Sequence, residues 1–289
     1  AKPLPMLRTA FAALAALLLA SAVQAQPLDG RLKRIAETKT IAIAHRTDAM
    51  PFSFTENGQV TGFTVDLCKR VVTSIERQIN VPGLQIKWVP VTSQNRFDVV
   101  ASGQADLECG ASTVTLSRLR QVDFSSFIFI ETTSLLVKSA SGLQSFADVA
   151  GKKIAVVAGT TNERAVQAQL KRRQINATVL PMKTREQAFD ALESGAADAF
   201  ASDRLLLLGS FVKAKDPKAM AILGDELSME PYGIALPRGD AALRLAVNTG
   251  LSQVFGSGEI GELFKTWFGQ LGRPSVVLEV NYLLGTIPD

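Results

Sequence analysis

Two short polar segments, Ser93-Gln94-Asn95-Arg96 and Ala111-Ser112-Thr113-Val114-Thr115 with Arg118 just beyond, stand on either side of one helical pattern and one strand pattern. Each reads as a junction where a strand ends and a helix begins. Unpaired backbone N–H groups and the positive end of a helix dipole collect at such a junction, so an anion is its natural occupant. Ser93 and Thr115 suit N-cap positions. Arg96 and Arg118 fall one turn inside the expected helices, where a guanidinium can fork onto a carboxylate. Arginine in a first helical turn opposes the dipole, so the pair points to recognition of carboxylates, although either one alone reads equally well as a solvated surface residue.

Other chemistry finds less to work with. His45 is the only histidine, and Cys68 and Cys109 lack the paired spacing of a zinc site. A nucleophilic triad on His45 is the alternative, but a lone histidine at a strand end more often has a structural role. Gly159-Thr160-Thr161 lacks the Gly-Lys-Ser/Thr ending of a phosphate loop. No metal and no cofactor are therefore expected. Asp106, Asp123 and Asp198 read as capping or turn residues. Asp203 follows a strand and suits both a ligand crevice and the N-cap of the next helix, and Phe52, Phe54 and Phe63 read as core.

These groups must be carried by a particular series of elements. Residues 32–36 read as a short helix and 40–45 as a strand, and Asn57-Gly58 supplies the positive φ of a tight hairpin. Helical periodicity runs over 62–80 through Leu67, Val71, Ile75 and Ile79. A strand over 84–91 delivers Ser93, a helix runs from Gln94 to Gly103, and a strand covers 105–109. After Phe124 come an extended run over 128–137, a strand over 153–157, and the capping box Thr160-x-x-Glu163 opening a helix to about Arg173. A strand over 178–180, helices over 185–194 and 204–211 around a strand over 198–202, an extended run over 232–236 and helices over 241–255 and 259–268 complete the series. The tail from Arg273 shows little pattern. Such alternation implies parallel βαβ units, which bind ligands beyond the carboxyl ends of their strands. His45-Arg46, Ser93–Arg96 and Ala111–Arg118 would meet there.

At 289 residues the chain has room for two lobes with separate cores. A composition of 47% apolar and 20% charged residues excludes a disordered chain and a multi-span membrane protein. Residues 1–25 read as a cleaved export signal: Lys2 and Arg8, an apolar run over 10–20, then Val23-Gln24-Ala25. Setting Lys2 and Arg8 aside lowers the net charge from +4 to +2, and no basic block appears, so nucleic acid is not an expected partner. An oxidising destination permits a disulfide. Two buried free thiols are the expectation for Cys68 and Cys109, and a single bridge is the alternative.

From about Arg31 to Phe268 the chain resembles the extracytoplasmic solute-binding proteins of polar amino-acid ABC transporters, most of all their glutamate/aspartate-binding branch. The resemblance is carried by IAIAHR (41–46), PFSF (51–54), GFTVDLCKR (62–70), PVTSQNR (90–96), ADLECGAST (105–113), TLSRLRQVDFS (115–125), FADVAGKKIAVVAGTTNE (146–163), LESGAADAFASD (192–203) and EPYGIAL (230–236). It implies an α/β chain of the type II periplasmic binding protein fold: lobe 1 from 26–133 and 235–289, lobe 2 from 134–234, and two hinge strands near 132–137 and 232–236. It also implies a periplasmic monomer that hands an acidic amino acid to the membrane permease of an ABC importer.

Carried over by residue, Arg118, Thr113 and Thr161 would hold the ligand α-carboxylate, and Asp203 with the backbone near Ala111 the α-ammonium. Arg46, Ser93 and Arg96 would hold the side-chain carboxylate. Similar proteins for basic amino acids have an acid at the Arg46 position, so arginine there inverts the preferred ligand charge. Ala49 stands where many relatives stack an aromatic on the ligand. This chain departs from the branch at Arg185, where a histidine is usual, and at Ala111, where a small hydroxyl residue is usual. Some relatives are cyclohexadienyl dehydratases, whose chemistry needs a general acid, here Glu108 or Glu163; a sensor partner of a chemoreceptor is another reading. The capture reading requires the guanidiniums of Arg46, Arg96 and Arg118 to converge on a gap that no acid of the protein itself fills.

Overall fold

Leu32 and Ile35 are the buried positions of helix α1 (Gly30–Thr38), which leads into strand β1 (Thr40–Arg46). The structure, a computed structural model, describes residues 28–288, so the expected export signal, with its expected cleavage near Ala25, lies outside the described residues. Six consecutive buried residues in β1 mark a strand covered on both faces. Strands β2 (Asp48–Ala49), β3 (Ser53–Glu56) and β4 (Gln59–Thr61) form a small antiparallel sheet, and Asn57 and Gly58 take the positive φ values its hairpin needs. Helix α2 (Phe63–Gln78), strand β5 (Gln85–Val91), short helix α3 (Arg96–Ala101), and strands β6 (Leu107–Glu108) and β7 (Val122–Phe124) follow.

The long strand β8 (Phe129–Lys138) then carries the chain into a second lobe. That lobe contains β9 (Lys153–Val157), α4 (Thr161–Arg173), β10 (Thr178–Met182), α5 (Arg185–Ser194), β11 (Ala199–Asp203), α6 (Arg204–Phe211) and β12 (Met220–Ile222). Strand β13 (Met229–Tyr232) pairs antiparallel with the start of β8 and returns the chain to the first lobe. There β14 (Ala235–Pro237) enters the first sheet, and α7 (Ala241–Gly256), α8 (Glu259–Phe268) and α9 (Val276–Gly285) complete the chain. The two sheets run β5-β1-β6-β14-β7 and β10-β9-β11-β8-β12. β1 and β5 pair in parallel over seven residues, as do β9 and β10 over five, which puts two sets of strand ends on one side.

An aromatic knot seats the hinge. Phe52 packs edge-on against Phe129 and Tyr232 at centroid distances of 4.9 and 5.1 Å, so both linking strands are anchored in the first lobe's core. Helix α6 of the second lobe reaches into the same apolar cluster through Leu206. Two turns of chain come unusually close beside it: a Cβ on Gly209 would collide with the carbonyl oxygen of Met50.

Several sequence expectations need correction. Helix α3 begins at Arg96 rather than Gln94, and neither Ser93 nor Asn95 caps it; the Asn95 Oδ1 instead accepts from the Thr92 N–H at 2.8 Å. Arg118 opens a three-residue 3-10 turn, not an α-helix, although Thr115 Oγ1 does accept its N–H at 3.2 Å. Arg96 and Arg118 are therefore first residues, not residues one turn in. Helices this short contribute little dipole, and the anion argument rests on the guanidiniums alone. Thr160 caps α4 as expected, but Glu163 bonds the N–H of Gly159 rather than that of Thr160. The tail contains α9, capped by Ser275, whose side chain accepts from Leu278 N–H.

The thiols are not free. Cys68 of α2 and Cys109, just after β6, form a disulfide with a Cα–Cα distance of 6.4 Å. Periodicity placed Cys68 on the apolar stripe of a helix, and Cys109 read as the end of a strand, but neither reading shows that α2 lies across the end of β6.

Candidate functional site

Strand ends from both lobes face one another across a narrow cavity of about 20 Å³. Arg46, Ser93, Arg96, Ala111 and Thr113 line it from the first lobe, and Thr161, Arg185 and Asp203 from the second. Val157, Thr160, Asn162 and Leu206 complete the wall. Arg118 is not in the wall: it stands behind Thr113, donating from Nη1 to the Thr113 carbonyl at 2.7 Å. Arg46 ends β1, Arg96 begins the helix after β5, Thr161 opens the helix after β9, and Asp203 ends β11. Strand-end placement thus explains the cluster.

The first-lobe side is cationic and short of partners. Arg96 is buried, donates from Nη1 to the Ser93 carbonyl at 3.0 Å, and has no carboxylate in ion-pair range among the described residues. Burial, then repulsion from Arg118 and Arg46, brings its pKa down to about 9. Burial, then Arg164, brings Arg118 down to about 10. Both guanidiniums rest against the Phe97 ring, at 4.7 and 5.0 Å from its centroid, which fixes them without neutralising them. Arg46 Nη2 pairs with Asp48 at 2.6 Å. Burial alone would raise the Asp48 carboxyl, but Arg46 and Arg185 outweigh it and the net shift is downward. Arg185 donates from Nη1 to Ser202 Oγ at 2.8 Å, and its Nε has no partner among the described residues.

The hinge side is acidic. Asp203 accepts from Asn162 Nδ2 at 2.6 Å and from the Tyr232 hydroxyl, and makes no side-chain cap to α6. Burial and the nearby Glu230 push its pKa up to about 6. Glu230 accepts from Thr113 Oγ1 at 2.6 Å, and Glu131, directly opposite it in the β8–β13 ladder, is pushed up to about 8 by burial and Asp203. The cavity wall therefore sets the guanidiniums of Arg46, Arg96 and Arg185 against the single carboxyl of Asp203, with Glu230 and Glu131 behind it. That polarity matches a guest carrying both carboxylate and ammonium groups.

The two lobes touch through polar bonds at the cavity rim. Gln94 Nε2 donates across the gap to the carbonyls of Ala158 and Lys183 at 3.3 and 3.1 Å, and the Thr113 and Thr161 hydroxyls meet at 3.4 Å. His45 takes no part: its Nδ1 lies 3.1 Å from the Arg46 carbonyl oxygen, its ring meets Trp88 edge-on, and burial lowers its pKa. Among the described residues no group of three His, Cys, Asp or Glu side chains could hold a metal, and no helix is long and apolar enough to cross a membrane.

Sequence reasoning passed over Phe97, Asn162, Glu131, Glu230 and Tyr232. A signal existed for the two glutamates. Each is an acid inside an otherwise apolar extended run, Phe129-Ile130-Glu131 and Met229-Glu230-Pro231-Tyr232, where an unpaired charge would be costly.

Residues 41–270 match the family described as bacterial extracellular solute-binding proteins, family 3. The chain is 38% identical over 260 residues to the L-glutamate/L-aspartate-binding protein of Pseudomonas aeruginosa, covering 89% of this chain and 86% of that one. It is 36% identical over 252 residues to the glutamate/aspartate import solute-binding protein of Escherichia coli, covering 86% and 83%. Among solved structures, an ancestral amino-acid-binding protein described as a precursor of cyclohexadienyl dehydratase superimposes with a TM-score of 0.72 at 30% identity, covering 83% of this chain and 100% of the other. Two sheet-containing lobes on the type II periplasmic binding plan, joined by paired hinge strands, fit these matches, and the chain belongs to family 3 of the bacterial extracellular solute-binding proteins.

Proposed function

We propose that this chain captures L-glutamate or L-aspartate in the periplasm, as a monomer, and delivers it to the membrane permease of an ABC importer. The observation that carries the reading is the polarised cavity, with Arg46 and Arg96 in its wall and Asp203 opposite. In this reading Arg46, Ser93 and Arg96 take the ligand's side-chain carboxylate, and Asp203 with the backbone at Ala111 takes the ammonium. Thr113 and Thr161 take the α-carboxylate, with Arg118 behind Thr113 adding its charge to that end. Arg185 adds a cation next to Asp48 and extends tolerance toward other dicarboxylates. Lobes of 26–133 with 235–289 and of 134–234 would close on the guest by bending at β8 and β13. Three or four charge-assisted contacts of roughly 1.5–3 kcal/mol each, less the cost of immobilising the guest, leave about −8 kcal/mol, or roughly micromolar binding.

Capture is favoured over dehydration because neither general-acid candidate stands in the cavity wall. Glu163 is committed to the Gly159 N–H at 2.8 Å, and Glu108 is wholly buried beneath the wall. Calorimetric titration of the exported form, stripped of copurified ligand, should give saturable heat with L-glutamate or L-aspartate and far less with glutamine or asparagine. Absence of heat with both acids rejects the reading, and aromatic product from prephenate or arogenate would reject the exclusion of an enzyme.

Gln94 should matter without touching the guest. Gln94→Ala removes both rim bonds to the second lobe, and each net hydrogen bond contributes about 1 kcal/mol. Affinity should fall roughly thirtyfold, mostly as faster release in stopped-flow displacement. An unchanged release rate would show that these bonds do not hold the lobes together.

A further inference from the structure

Beneath the cationic wall lies a carboxyl group that the capture reading leaves unused. Glu108 is 0% exposed, and neither of its carboxyl oxygens has a hydrogen-bond partner among the described residues. The hydroxyl of Ser112 lies beside it, outside hydrogen-bond geometry but near enough to favour the carboxylate. Its Oε1 occupies the place a Cβ on Gly110 would need, and Arg46 Cγ lies 3.1 Å from that same point, so the carboxyl is folded under the loop that carries Ala111.

The surroundings are almost entirely cationic. Glu108 sits in β6 between Ala44 of β1 and Ala235 of β14. From β1 it faces Arg46, while His45 is turned toward Trp88. From α3 it faces Arg96, and Asp98 on that helix is exposed and bonded to Gln121. The 3-10 turn contributes Arg118, and β14 contributes no titratable group. Burial raises the Glu108 pKa, and Arg96, Ser112, Arg46 and Arg118 oppose that rise without cancelling it.

Resting on the capture reading, we propose that Glu108 takes up a proton when an acidic ligand binds, so that dicarboxylate and proton are captured together. In the empty cavity the guanidinium field favours carboxylate at Glu108. Ligand carboxylates in front of Arg46 and Arg96 offset that field, and the buried carboxyl loses much of its electrostatic support. One proton passes from the buffer to the Glu108 carboxylate, which becomes a carboxylic acid; no other bond changes. The bound-state pKa thus exceeds the free-state pKa. This contribution to affinity is fully present below the free-state value and is lost as pH rises through the bound-state value. Asp203 works in the opposite sense, because an arriving ammonium favours its ionised form. A comparison against a variant lacking only the Glu108 charge separates the two.

Calorimetry with L-glutamate from pH 5.5 to 8.5, in buffers of differing ionisation enthalpy, tests this on the wild type and on Glu108→Gln. The wild type should take up more protons per ligand than the variant. Its Kd should also rise threefold or more relative to that of the variant across the range. The proton excess should shrink with L-glutamine, which brings one carboxylate fewer. Equal proton counts and a constant Kd ratio overturn the proposal. Should the variant not fold, carboxyl-carbon NMR of the wild type reads the Glu108 midpoint directly: an upward move on adding L-glutamate supports the proposal, and an unmoved midpoint overturns it. Heat without a proton excess removes this proposal alone, whereas no heat with any dicarboxylate removes the capture reading as well.

Discussion

Replacing Arg96 with glutamine should abolish useful capture of acidic amino acids, weakening the affinity for L-glutamate by several hundred-fold, while leaving the fold at least as stable. The first half follows from the way a guanidinium grips its guest. Forked onto a carboxylate, it makes two charge-assisted bonds at roughly 1.5–3 kcal/mol each, about 3–6 kcal/mol together, of which the neutral glutamine amide recovers part, so about 3–4 kcal/mol, or about 150- to 1,000-fold, disappears with it. The second half follows from the company Arg96 keeps. It is buried beside Arg118 and Arg46 with no ion partner among the described residues, and its lowered pKa records the cost of holding a charge there. Arg96→Gln keeps a donor near the Ser93 carbonyl and removes that cost. Calorimetry and thermal unfolding check the two halves together. A loss below tenfold would show that the guest does not reach Arg96, and a lower melting temperature would show that the guanidinium supports the fold.

Removal of the disulfide should act in the opposite way, on stability far more than on chemistry. Cys68 and Cys109 are 41 residues apart, and closing a loop of that length restricts the unfolded chain by about 4 kcal/mol in the chain-entropy description. Cys68→Ala with Cys109→Ala should lower the melting temperature by roughly 10 °C for lobes of this size. The parent protein should lose a similar amount in excess reductant, and reductant should then have no effect on the double variant. A melting temperature that moves by less than about 2 °C would mean that the tethered segments are held together as firmly by packing.

Local structure was legible wherever a strong local rule applied. The Asn57-Gly58 hairpin, the stripe of α2, the cap of α4 and the strand ends carrying Arg46 and Asp203 all follow from short-range chemistry. Resemblance to known binding proteins added the two-lobe plan and the site residues. What escaped was tertiary. No periodicity could show that α2 crosses the end of β6, so the cysteines read as free thiols. Ser93 and Thr115 have the chemistry of caps, but α3 starts late and the next turn is 3-10, and the guanidiniums of Arg96 and Arg118 rest on Phe97 instead. The tail helix was missed because its stabilising face is narrow: only Leu278 and Tyr282 are buried, and its remaining valines and leucines face outward. Glu131 and Glu230 lie in strands whose partner is about a hundred residues away in sequence, and only pairing of β8 with β13 brings them opposite each other.

The approach of Gly209 to the Met50 carbonyl leaves no room for a side chain where the two lobes meet. These residues belong to opposite lobes, and neither stands in the wall of the guest cavity. A bulkier residue at 209 would act as a wedge against the Met50 carbonyl, holding the helix that carries Leu206 away from the first lobe without changing the identity of any group in the wall. Grip can therefore be retuned over evolutionary time from a spot with no say in which guest is chosen, and the absence of a single carbon is what lets the bite be complete.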